Sequence, residues 1–150
     1  MLRELQAITP GKHAPTTYKA AEAMKAGMLV TLNDVDGTAE IPADETVANL
    51  YWVTKERIPT GWNAARTDFS DYEEEFINIK EGELVKVVPI YTAERYATDQ
   101  FDEALAVGDM VASVAGKATK ATGSALLKCV GDFNDNGHAL KIIVKVDPTV

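Results

Sequence analysis

The dipeptide Asn136-Gly137 and the two runs beside it constrain the fold more than any other stretch. Leu126 to Phe133 and His138 to Val146 are rich in apolar and β-branched residues, and Asn-Gly suits a tight turn with positive φ at both central positions. The two runs are therefore expected to pair as an antiparallel hairpin. In the second run Leu140, Ile142, Val144 and Val146 alternate with Lys141, Ile143 and Lys145. That alternation predicts one face on a core and the other mostly in solvent.

A second signal repeats along the chain. Gly27, Gly82 and Gly108 each stand two residues before an apolar run, at Leu29, Leu84 and Met110. Glycine there lets the backbone turn sharply before it joins a sheet. The irregular spacing argues against a repeat architecture. Met28 to Leu32, Val47 to Thr54 and Leu84 to Tyr91 read as strands, with Pro89 favouring an edge or a bulge in the last. Tyr18 to Ala26 is alanine-rich and framed by Thr17 and Gly27, which predicts one short helix. Lys55 to Glu75 has no steady period and reads as a long loop.

These elements predict a mostly β fold: a compact β-barrel or β-sandwich domain over residues 18–150, preceded by an extended N-terminal arm over residues 1–17. The arm holds Pro10, Gly11 and Pro15 and lacks a local means of burial, so it reads either as a partner-seeking segment or as an untethered terminus. Leu2, Leu5 and Ile8, at spacing three, would give it an apolar stripe and are candidate partner contacts. Trp62 is the fourth candidate. A large aromatic in a proline- and glycine-containing loop either folds back on the core or anchors an interface.

Composition narrows the functional classes. The chain has 150 residues, 46% hydrophobic and 25% charged, within the globular range and long enough for one ordinary core. No apolar run approaches the length needed to cross a bilayer, and charges scattered through the first thirty residues leave no signal-peptide stretch, so a protein made in a cytoplasm is expected. A net charge of -8 disfavours nucleic-acid binding over the whole surface. The charge is uneven: Asp68 to Glu83 holds seven acids against Lys80, whereas Ala112 to Val146 holds five lysines against two aspartates. This unevenness reads as solvated charge, or as a polarity that could guide packing of copies.

No catalytic, cofactor-binding or metal-ligating set emerges. Asp132 to Gly137 follows the start of a calcium-loop pattern, but Ile143 stands where a bidentate glutamate belongs, so the segment reads as the hairpin turn. Gly116-Lys117 lacks the hydroxyl residue and the first glycine of a phosphate loop. His13 and His138 have no zinc-like ligand spacing and read as surface residues. Cys129, the single cysteine, is in strand phase with Leu127 and Phe133 and reads as a buried thiol. The run Asp71, Glu73, Glu74 and Glu75 reads as a solvated loop.

Three stretches form a familiar set: Lys25 to Leu32, Ile79 to Val85 and Leu105 to Val111, followed by Gly116-Lys117 and the closing hairpin. In this order they resemble the capsid decoration (cement) or head-fibre base proteins of tailed bacteriophages. The resemblance implies a non-enzymatic β-rich protein on the capsid exterior of the virion, present in many copies. It also implies that the major capsid protein and other copies of the chain are its partners, with no cofactor, nucleic acid or membrane. A tail or fibre-attachment subunit, and a small β-barrel ligand carrier or enzyme built on the acidic loop, are the alternative expectations.

Overall fold

The computed structural model describes residues 1–6, 17–55, 72 and 74–146. Thirteen strands and one helical turn occur among them. The strands are β1 (Leu2–Gln6), β2 (Tyr18–Ala20), β3 (Met24–Lys25), β4 (Leu29–Asn33), β5 (Thr38–Glu40), β6 (Tyr51–Thr54) and, after α1 (Glu74–Ile77), β7 (Asn78–Ile79). They continue with β8 (Leu84–Pro89), β9 (Arg95–Thr98), β10 (Met110–Val114), β11 (Lys117–Lys120), β12 (Leu127–Asp135) and β13 (His138–Lys145). The fold is mostly β, as expected, and consists of a closed five-stranded barrel, β2-β5-β4-β6-β8, beside a six-stranded sheet, β1-β9-β13-β12-β10-β11, with β3 and β7 forming a small pair.

The barrel and the sheet share side chains through the two-residue period of the barrel strands. On β4, Val30 points into the barrel with Val53, Val85 and Val87, while its neighbour Leu29 points the other way. On β6, Val53 and Trp52 divide in the same manner. Leu29 and Trp52 meet Tyr96, Val111, Leu127, Cys129 and Ile143 of the sheet, forming a core between the two units. Each such aliphatic side chain, removed fully from water, contributes roughly 1.5–3 kcal/mol. The interface between barrel and sheet is therefore an apolar seam that joins the two units.

The hairpin forms where the sequence placed it. β12 and β13 pair antiparallel from Asp135↔His138 outward, and Asn136 and Gly137 hold φ of 52° and 94°. Asn134 Oδ1 accepts from Gly137 N at 2.8 Å and closes the turn. The three glycines before the apolar runs also adopt positive φ, at 97° for Gly27, 83° for Gly82 and 98° for Gly108, and their strands start at Leu29, Leu84 and Met110.

Several expectations are corrected. The alanine-rich segment is not a helix: Tyr18–Ala20 and Met24–Lys25 are strands. Lys19 N donates to Gly37 O, Ala20 N to Glu83 O and Ala21 N to Ala39 O, so tertiary partners take the groups a helix would pair internally. Alanine's helix preference amounts to only tenths of a kcal/mol per residue, and burial of Ala20 and Met24 overrides it. The helical turn that does form, Glu74–Ile77, begins inside the stretch read as a long loop. The first six residues are not a free arm, because β1 pairs with β9 from Leu2↔Thr98 to Gln6↔Arg95 and Met1 is buried against Ala97 and Leu140. The remainder of the expected arm, residues 7–16, lies outside the described residues.

The reading of β13 also changes. Leu140 and Val144 are buried as expected, but so is Ile143 on the face assigned to solvent. β13 lies in the interior of its sheet, between β9 and β12, and both sheet faces are covered. Ile143 joins the core shared with the barrel, while Leu140 packs with Met1 and Ala97 on the opposite side. Similarly, β8 is interior to the barrel, and Pro89 is tolerated as its last residue, opposite Tyr51.

Candidate interaction surfaces

The four candidate contacts have different fates. Leu2 is half-buried against the shared core, whereas Leu5, on the same edge strand, is 40% exposed. Ile8 and Trp62 lie outside the described residues. β1 is thus held from one side by apolar packing and presents Leu5 outward.

A polar tie fixes the same strand to the hairpin. Arg3 donates from Nε and Nη2 to Asp135 Oδ2 at 2.9 and 2.7 Å, and Tyr72 Oη donates to that oxygen at 2.8 Å. The Tyr72 ring stacks on His138, the first residue of β13. The bonds from Arg3 and then Tyr72 hold the Asp135 carboxyl below the usual aspartate range. Burial, reinforced by Asp135, pushes the Tyr72 phenol up from its ordinary value. This cluster joins three sequence-distant segments through one carboxylate, and its charges are spent on structure. No motif pointed to it, because its members come from positions 3, 72, 135 and 138.

The remaining turn carboxylates also have partners. Asp132 accepts from Lys141 Nζ at 2.6 Å, and Asp109 accepts from Ala106 N at 3.0 Å with Lys120 at 3.4 Å. The calcium-like run therefore spends Asp132, Asn134 and Asp135 on fixing the hairpin. Cys129 is fully buried beside Ile143, and burial pushes its thiol up from the ordinary value, which disfavours the reactive thiolate.

A cleft of about 680 Å³ lies between the segment 45–51 and the segment 123–127. Its lining includes Leu50, Ile90, Val111 and Leu127, all part of the shared core or packed on it, with Glu45 and Lys145 among the charged residues. The expected strand Val47 to Thr54 forms only from Tyr51 onward, which leaves residues 47–50 as irregular chain along the cleft. Thr122 Oγ1 donates to Glu45 Oε1, joining the two walls. Sequence reasoning missed this cleft because its walls are nonperiodic segments brought together by the barrel and the sheet.

Comparison with known proteins gives no match to a protein family, to a curated protein or to a solved structure.

Proposed function

We propose that this chain is a non-enzymatic structural protein that binds the outer surface of a phage capsid and reinforces contacts between major capsid subunits. The observation that carries this reading is the anchored N-terminal strand. Met1 and Leu2 fasten β1 to the core, Arg3 fastens it to Asp135, and Leu5 is left facing outward. An apolar contact on a strand already ordered in the free protein loses little conformational entropy on binding. Such pre-organisation suits a protein that must recognise a repeated rigid surface. The net charge of -8 keeps free copies apart before they meet that surface.

Binding that favours the assembled shell over separated or immature subunits stabilises the shell by linkage. The test is co-sedimentation of the purified protein with expanded phage heads that lack it, with immature heads for comparison. Saturable binding to expanded heads at a fixed ratio to capsid subunits is the expected result. Absence of binding to either form by the folded protein overturns the reading.

A further inference from the structure

The cleft between residues 45–51 and 123–127 is a place where main-chain pairing stops short. β10 runs from Met110 to Val114, yet its ladder to β12 holds only Met110↔Lys128 and Val111↔Leu127. Ala112, next along β10, lines the cleft. Beyond Leu127 the partner chain leaves the sheet as the irregular segment 121–126. On the facing wall, residues 47–50 are also irregular, with one main-chain bond among them, Leu50 N to Ala48 O. The N–H groups of Val47, Ala48 and Asn49, and of Gly123, Ser124 and Ala125, have no hydrogen-bond partner among the described residues.

Main-chain donors along two facing walls, above an apolar floor, are the chemistry that recognises another main chain. Small residues at the rim, Ala48, Gly123, Ser124 and Ala125, let a second backbone approach closely. The volume of about 680 Å³ falls in the range of sites that enclose a ligand rather than a single water. Lys145 adds charge selectivity. It lines the cleft and has no carboxylate partner among the described residues, whereas Glu45 is engaged by Thr122.

We infer that this cleft is a receptor for an extended peptide segment of a partner protein, apolar at alternate positions and carrying a carboxylate that meets Lys145. The peptide lies between the two walls and takes up their free amides. Its alternate side chains rest on Leu50, Ile90, Val111 and Leu127, and its carboxylate pairs with the one cleft cation. This assignment is independent of the capsid reading: it concerns how a partner is gripped, whatever the partner's source.

The test is a titration of the ¹⁵N-labelled full chain, followed by amide chemical shifts. The probe is an acetylated valine-threonine-valine-aspartate tetrapeptide amide, compared with the same peptide amide ending in asparagine, and with octanoate. The expected result is a set of shifts at Val47–Asn49 and Gly123–Ala125, saturating in the millimolar range appropriate to so short a ligand, about 1–10 mM. Loss of the aspartate charge, or Lys145→Ala, weakens binding by about two- to fivefold, as a partly exposed ion pair does. Ala48→Trp, at an exposed rim position, fills the mouth and abolishes the shifts while leaving the rest of the spectrum in place.

Absence of shifts up to about 10 mM peptide overturns the inference, as do shifts centred elsewhere on the molecule. Binding of octanoate without the peptide also overturns it and marks the cleft as a small-amphiphile site. Because the titration uses the isolated chain, its failure is distinct from a failure to bind phage heads.

Discussion

Tyr72 lies face to face with His138, the ring centroids 3.6 Å apart and the planes 8° from parallel, while its hydroxyl donates to Asp135 at 2.8 Å. One side chain thus serves both ends of the hairpin's first pair, since Asp135 and His138 stand opposite each other. Tyr72→Phe removes the hydrogen bond and keeps the stack, so a small fall in urea midpoint is expected. Tyr72→Ala removes both and is expected to cost more. The carboxyl of Asp135 is held below its unfolded value, so its contribution is present above the ordinary aspartate range and lost as pH falls through the lower folded value. The stability gap between the natural chain and Asp135→Asn should therefore be widest near neutrality and close below about pH 4.

The three glycines that precede strands separate two kinds of cost. All have positive φ, but a Cβ at Gly27 would stand 2.6 Å from both Met1 O and Thr98 Oγ1, whereas nothing lies within 4 Å at Gly82 or Gly108. Gly82→Ala and Gly108→Ala should each cost about 1 kcal/mol from backbone strain alone. Gly27→Ala should cost about 3 kcal/mol or more, because the clash falls on backbone in the N-terminal segment. Urea unfolding of the three variants checks the order, and equal losses would contradict it.

Trp52 is fully buried at the seam, with its ring centroid 6.1 Å from that of Tyr96 and no hydrogen-bond partner for Nε1 among the described residues. Trp52→Ala should cost about 3–5 kcal/mol through lost packing. Trp52→Phe should cost less than half as much, since it keeps an aromatic at the seam and removes a buried donor without a partner. Thermal unfolding of both variants measures the difference.

Leu2 and Leu5 share one strand and differ in burial, which separates a structural role from a contact role. Leu2→Asp places a charge against the shared core and should cost about 3 kcal/mol or more. Leu5→Asp should stay within about 0.5 kcal/mol of the natural chain, as an exposed substitution does. If Leu5 makes the capsid contact, its variant keeps its melting temperature and loses head binding in co-sedimentation. Deleting residues 1–6 does not isolate that contact, because it also removes a strand and the buried Met1.

The sequence by itself determined those features whose cause is local. Asn136-Gly137 carries the turn chemistry of its hairpin, and Gly27, Gly82 and Gly108 supply the positive φ that the chain needs just before β4, β8 and β10. The β-rich character followed from the same residues. The burial of Cys129 was legible too, because its strand phase matched that of Leu127. Tertiary structure decided everything that depends on which segment lies alongside. Residues 18–26 carry a helical composition, yet they form the short strands Tyr18–Ala20 and Met24–Lys25 instead, because the partners of Lys19, Ala20 and Ala21 come from residues 37, 83 and 39. Ile143 is buried because β13 is central in a sheet covered on both faces, a position that alternation within one strand does not encode. The cluster of Arg3, Tyr72 and Asp135 and the cleft between residues 45–51 and 123–127 likewise exist only once distant segments meet. Turn geometry is set by the φ preferences of two adjacent residues, whereas pairing order and burial are set by the free energy of the whole assembly.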